Sequence, residues 1–119
     1  MRYLCLLIGE PDTEGPVPGT PEFMQMLADY QSATKAMADA GVLVDSGPLQ
    51  PPGAATTIRV RNGETLLTDG PFAEIKESLV GYWVIEADEE RALQIASRVV
   101  GYTEYPMEVR RIMDHSAQP

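Results

Sequence analysis

Two stretches of this chain, Tyr3-Leu4-Cys5-Leu6-Leu7-Ile8 and Leu79-Val80-Gly81-Tyr82-Trp83-Val84-Ile85, are apolar at odd and even positions alike. Side chains alternate between faces along a strand, so such runs predict central strands with both faces covered. Only two segments have the periodicity of helices able to do the covering. The first runs over 21–40, with Thr20 as N-cap, Pro21 at the first helical position and Gly41 as the stop. Phe23, Leu27, Tyr30, Thr34 and Met37 form its inner stripe, with Ala33 and Ala40 alongside. The second begins after Asp88, carries Glu89 and Glu90 in its first turn, shows an apolar side of Leu93, Ile95, Ala96, Val99 and Val100, and closes at Gly101. Two helices cover one face of a four-stranded sheet and leave the other in need of a cover. A homodimer packed sheet on sheet is the expected solution, ahead of a heteromeric partner or a hairpin folded back over its own sheet.

The remaining segments complete the order. Val42-Leu43-Val44 opens a second strand that ends near Gly47-Pro48, and Gln50-Pro51-Pro52-Gly53 reads as a loop. Asn62-Gly63, between Thr56–Val60 and Thr65–Thr68, is the signature of a two-residue type I′ hairpin. Its register follows: Arg61 faces Glu64, Val60 faces Thr65, Ile58 faces Leu67 and Thr56 faces Asp69, which places Asp69 on the apolar side. A carboxylate there is expected to find donors or to titrate high. The last strand spans 107–113, and 114–119 reads as a frayed tail. Glu10 to Gly19, with three prolines, is an irregular loop and a candidate lid. The sequence of elements is β, α, β, hairpin, β, α, β, which predicts a single α+β domain over 1–119 with a ferredoxin-like split βαβ and an inserted β-hairpin.

Charge and composition narrow the partners. Nine Lys and Arg stand against 18 Asp and Glu, a formal charge of −9, and a field of that sign repels phosphate backbones and anionic lipid. Neither nucleic acid nor a membrane is an expected partner. Cys5 is the only cysteine and His115 the only histidine, so one subunit offers no disulfide and no Cys/His zinc cluster. Cys5 is expected to be an inert core filler and His115 a solvated tail residue. The apolar run at residues 3–8 is too short to span a membrane, and no targeting segment or nucleotide-binding glycine motif is visible, so a cytoplasmic location and no cofactor are expected.

Asp69-Gly70-Pro71-Phe72-Ala73-Glu74-Ile75-Lys76-Glu77 sets three carboxylates and an ammonium around a Gly-Pro turn. The segment resembles the DGPF motif, usually DGPFAETKE, of the YCII-related (DGPF) family. Leu4-Cys5-Leu6-Leu7-Ile8, Ala40-Gly41-Val42-Leu43, Gly47-Pro48-Leu49-Gln50-Pro51-Pro52 and Val80-Gly81-Tyr82-Trp83 extend the likeness over nearly the whole chain. The resemblance implies a dimeric α+β barrel, a cytoplasmic bacterial protein and an enzyme of undefined reaction. Two positions depart from the pattern: Ile75 replaces the usual Thr, and Arg111 stands where Glu-Val-Arg-Pro would place Pro. In the wider superfamily the resemblance implies a His-Asp catalytic pair, and Tyr30, eleven residues before Gly41, takes the position of that His.

Asp69 and Tyr30 are therefore the candidate catalytic residues: a carboxylate as general base or acid, and a phenol able to polarise a carbonyl. Phe72, Glu74, Lys76, Glu77 and Arg111 are the candidate substrate contacts, Arg111 by its parity with Met107, Val109 and Met113. The competing structural readings are a turn-capping Asp69, a core Phe72, a solvated Glu74-Lys76-Glu77 turn, a core Tyr30 and a snorkelling Arg111. A Mg²⁺ or Ca²⁺ site on Asp69, Glu74 and Glu77 is disfavoured by Lys76 among them and by the absence of ligand-loop spacing. Two functions stay open: a cofactor-independent small-molecule enzyme of isomerase, lyase or hydrolase type, or, as the resemblance implies, a regulatory or binding protein associated with an extracytoplasmic-function sigma factor.

Overall fold

The computed structural model describes residues 1–9, 17–50, 52–70, 79–103 and 105–113. In chain order the elements are β1 (Arg2–Ile8), α1 (Pro21–Asp39), β2 (Leu43–Pro48), a 3₁₀ turn (Pro52–Ala54), β3 (Thr56–Arg61), β4 (Glu64–Asp69), β5 (Leu79–Glu86), α2 (Glu89–Val100) and β6 (Met107–Arg111). Four strands form an antiparallel sheet in the order β2-β5-β1-β6, while among the described residues β3 and β4 pair only with each other. With that hairpin set aside, the strand order is that of the ferredoxin-like split βαβ, as the sequence implies.

Both helices begin where the capping residues stand. The Thr20 hydroxyl accepts the Phe23 N–H at 3.3 Å, with Pro21 behind it, and the Asp88 carboxylate accepts the Arg91 N–H at 2.8 Å. Gly41, at φ +75°, turns the chain out of α1. Gly101 caps α2 in a right-handed conformation, φ −66°, so its role differs from the left-handed stop that a C-terminal glycine suggests. The inner stripe of α2 also differs from expectation: Ala92, Ile95, Ala96 and Val99 are buried and Leu93 is exposed. The i, i+3, i+4, i+7 row selects Ala92 over Leu93 because the two point about 100° apart around the helix.

Both helices pack on one face of the sheet. The pairs Cys5↔Trp83, Tyr3↔Ile85 and Cys5↔Val109 bring the odd-numbered residues of β1, β5 and β6 to that face. There Tyr3, Cys5, Leu7, Trp83 and Ile85 are buried against Tyr30, Ala33 and Met37 of α1 and Ile95 and Val99 of α2. The opposite face carries Leu4, Leu6, Tyr82 and Val84, all half-buried. Among the described residues, the expectation that β1 and β5 have both faces covered is thus met on the helix side only. The smallest extent of the molecule is 19 Å, the depth of two layers about 10 Å apart.

Gly81 marks where α1 comes closest to the sheet. A Cβ there would lie 2.6 Å from Tyr30 Cε2 and 3.1 Å from the Gly47 carbonyl oxygen, closer than packed atoms allow. Gly81→Ala is expected to lower stability by about 1–3 kcal/mol in urea unfolding, the usual cost of overpacking. Gly53→Ala, where a Cβ meets nothing within 4 Å, is the control, expected to stay within about 0.5 kcal/mol.

Burial pushes the Cys5 thiol up from 9.0 to about 11. The folded chain holds that proton while the unfolded chain releases it, so the contribution to stability is complete below about pH 9 and is lost as pH rises toward 11. The urea midpoint is expected to fall across that window, and to fall less steeply in Cys5→Ala.

Candidate functional site

The Asn62-Gly63 turn fixes the register that brings Asp69 to its place. Both residues have positive φ, 54° and 80°, as type I′ requires, and the pairing runs Arg61↔Glu64 to Thr56↔Asp69. Asp69 therefore occupies the last rung of the β3–β4 ladder. Gly70, at φ +96°, follows it; the Gly70 N–H donates to the Ala55 carbonyl at 2.7 Å, and the Thr57 hydroxyl donates to the Gly70 carbonyl at 2.7 Å. Backbone and Thr57 hold this turn. The Asp69 carboxylate makes no hydrogen bond or ion pair with a described residue and is exposed. It shares a hairpin face with Ile58, Val60 and Leu67, as the parity predicts, but in this chain that face meets solvent. Phe72, Glu74, Lys76 and Glu77 lie outside the described residues, as do most of the candidate lid loop and His115.

Tyr30 sits in a different setting. Its ring stacks on Trp83 with centroids 4.7 Å apart and planes 16° from parallel, and its hydroxyl donates to the Tyr82 carbonyl at 2.7 Å. The Trp83 indole N–H donates to the Thr34 hydroxyl at 2.8 Å, and that hydroxyl donates to the Tyr30 carbonyl at 2.8 Å. Burial raises the pKa of the Tyr30 phenol, opposed by hydrogen bonding from the Gly47 backbone, Ser46 and Thr34. Tyr30 is thus a protonated donor at the seam between β2 and β5, with its proton committed to a backbone carbonyl. The structure shows no bond between Tyr30 and Asp69.

Arg111 stands opposite Tyr3 in the ladder, on the strand side shared with Met107 and Val109, and is exposed with no ion pair to a described residue. Its neighbour Arg110 pairs with Glu108 at 3.1 Å. Among the described residues no three His, Cys, Asp or Glu side chains gather as a metal site would require. A groove of about 360 Å³ between the end of α1 and α2 is lined by Ala40, Arg91, Gln94, Ile95 and Arg98. It lies on the helix layer, where Arg91 is tied to the Ala40 carbonyl at 2.7 Å.

The uncovered sheet face presents a pair that sequence reasoning passed over. The Tyr82 hydroxyl donates to Asp45 Oδ2 at 3.3 Å, while Asp45 Oδ1 accepts the Ser46 N–H at 2.8 Å. Gly47, opposite Tyr82, leaves room for the ring: a Cβ there would come within 2.9 Å of it. The signal was a carboxylate beside Val42-Leu43-Val44, but the irregularity between Leu43 and Asp45 shifts the parity by one residue. Counting by twos from Leu43 puts Asp45 on the wrong face.

Residues 1–116 match the family model of the YCII-related domain. The chain belongs to the YCII-related family. A protein of Rhizobium meliloti (strain 1021), itself described as uncharacterized, is 38% identical over 73 residues, which is 60% of this chain and 59% of that protein. The match thus spans about three fifths of that relative's length. No described helix of this YCII-related chain is long and apolar enough to cross a membrane.

Tyr30→Phe keeps the stack on Trp83 and removes the donor to the Tyr82 carbonyl. It is expected to cost about 0.5–1.5 kcal/mol in urea unfolding and to leave the Trp83 emission maximum in place. A shifted maximum would mean that the hydroxyl, rather than the ring, holds α1 in register.

Proposed function

We propose that this YCII-related chain is the subunit of a homodimeric, cofactor-independent enzyme of isomerase, lyase or hydrolase type. It moves protons on a small organic substrate in the cytoplasm. The observation that carries the reading is the state of Asp69. Its backbone is fixed by the hairpin ladder and by the Gly70 and Thr57 bonds, while its carboxylate is spent on no described residue. A positioned carboxylate that bonds to no described residue suits a general base. Asp69 takes that role. Phe72, Glu74, Lys76 and Glu77 of the same motif, with Arg111, supply the substrate contacts. Tyr30 contributes from the helix side, holding α1 against the seam where the Tyr82–Asp45 pair begins.

The homodimer rests on the half-buried Leu4, Leu6, Tyr82 and Val84 and on the two-layer depth of 19 Å. A second sheet laid on that face supplies the third and fourth layers and closes an interior. A regulatory role has one observation in its favour, the formal charge of −9, which suits a basic protein partner such as a sigma factor.

A metabolite thermal-shift screen on native protein and Asp69→Asn tests the enzyme reading. Ligand at about 100 times its dissociation constant adds roughly 2.7 kcal/mol, a rise in Tm on the order of 10 °C for a chain of this size. Native protein is expected to shift and Asp69→Asn to shift much less. Turnover of the identified compound is expected to drop by about 10²-fold or more in the variant. Equal shifts in both proteins would remove Asp69 from the site; no shift in either, with capture of a basic partner, would favour the regulatory role.

A further inference from the structure

The groove between the end of α1 and α2 is built on one stripe of α2. Arg91, Gln94, Ile95 and Arg98 stand at i, i+3, i+4 and i+7 and so share a side of that helix, while Ala40 lines the α1 wall. Ile95 is buried and gives the groove an apolar floor. Its volume of about 360 Å³ is that of a small-molecule site, in which an apolar lining carries a few placed polar groups. Here the polar groups are a guanidinium toward each end and an amide between them. They stand together on a chain that has only nine Lys and Arg and a formal charge of −9.

The structural duties of the two arginines leave donors over. Arg91 Nη2 donates to the Ala40 carbonyl at 2.7 Å, a cap on the end of α1 that uses one corner of the guanidinium and fixes its head across the groove. Arg98 sits in the last turn of α2, where a cation complements the helix dipole without spending a hydrogen bond. Arg2, Lys35 and Arg110 are paired with Glu86, Asp39 and Glu108, whereas Arg91 and Arg98 form no ion pair with a described residue. Two carboxylates close to the lining in sequence are committed elsewhere: Asp39 to Lys35 at 2.7 Å and Asp88 to the Arg91 N–H at 2.8 Å. Glu89 and Glu90 lie about 90° or more around α2 from the centre of the stripe.

We propose that this groove binds a small linear dicarboxylate, one carboxylate on each guanidinium and the aliphatic middle over Ile95 and Ala40. Charge selects an anion, and the planar fork of each arginine matches a carboxylate with two parallel hydrogen bonds. Spacing selects two anionic ends. Arg91 and Arg98 are separated by about 10.5 Å along the helix axis, and the Arg91 head is held at Ala40. An extended molecule reaches both guanidiniums, while a compact oxyanion engages one unless Arg98 folds back over Ile95. The apolar floor between the ends favours methylenes over a further polar group, and the Gln94 amide can donate to either end. Asp69, Tyr30 and Arg111 do not line the groove, so the inference is independent of the proposed catalysis and of the homodimer.

The test titrates the full ¹⁵N-labelled chain with adipate and follows the amide NMR shifts. Saturable shifts at residues 40 and 91–98 are expected. Hexanoate, which keeps the chain and loses one carboxylate, and inorganic phosphate are each expected to bind about tenfold more weakly or worse. Arg98→Gln and Gln94→Glu, both at exposed positions, are expected to weaken adipate about tenfold or more with unchanged far-UV dichroism, the second by placing a like charge in mid-groove. Arg61→Gln removes the same charge from the exposed hairpin and is expected to change the dissociation constant by less than about twofold. Absence of saturable shifts would overturn the proposal. So would phosphate or hexanoate binding as tightly as adipate, or equal weakening by Arg61→Gln and Arg98→Gln, which would reduce the effect to net charge. Shifts centred on Asp69 and Arg111 would overturn the groove and leave the Asp69 reading standing.

Discussion

Tyr30 stacked on Trp83 through the gap at Gly81 is the contact on which the rest of the fold is hung. Trp83 is buried at the middle of β5, the strand between β2 and β1, so whatever docks on it sets where α1 lies along the sheet. The stack contributes about 0.5–1.5 kcal/mol beyond its burial. The Tyr30 hydroxyl and the Trp83 indole each end on an oxygen, so neither polar atom is buried without a partner. Only a residue without Cβ at 81 lets the phenol ring come down onto the strand. Thr34 completes the arrangement by bonding both rings' chains together, from the indole to the Tyr30 carbonyl one turn back. A position that the resemblance associates with a catalytic His thus holds, in this chain, a residue that packs and registers.

Much of this fold was legible because the informative residues act locally. Thr20 and Asp88 cap helices through their own side chains, and Asn62-Gly63 accepts the two positive φ values of a type I′ turn, so the hairpin register could be counted from the turn outward to Thr56 and Asp69. What could not be counted was whatever depends on a backbone irregularity or on a partner. The shifts between Leu43 and Asp45 and between Leu7 and Ile8 change which face a residue meets, and no local residue type announces them. Leu93 was placed inside by its hydrophobicity and is outside because Ala92, smaller and one position earlier, lies on the row that faces the sheet. For Asp69 the parity was readable and the surroundings were not, since they are set by what lies against the hairpin.

The split between a finished face and an unfinished one organises the rest. On the helix side Tyr3, Cys5, Leu7, Trp83 and Ile85 are buried, and no buried polar side-chain atom among the described residues lacks a bond. On the other side Leu4, Leu6, Tyr82 and Val84 stay half-buried, and the Tyr82 hydroxyl bonds Asp45. Apolar surface of this kind contributes to stability only when something removes it from water, at roughly 25 cal/mol per Å². The helix face accounts for the folding of the chain; the open face accounts for its association in the proposed dimer.

Electrostatics bear on the proposed association of this acidic chain with a second copy of itself. With a formal charge of −9, self-association is disfavoured unless the contacting surfaces are locally neutral. The sheet face meets that condition through the Arg2–Glu86 and Arg110–Glu108 pairs. These pairs are solvent-exposed and add little stability by themselves, but by cancelling charge at the rim they leave the aliphatic centre free to pack. Asp45 is the exception, a carboxylate on that face held by the Tyr82 hydroxyl and the Ser46 N–H and by no cation among the described residues. Asp45 beside Tyr82 sets a carboxylate and a phenol in hydrogen-bond contact on the face that the proposed dimer covers.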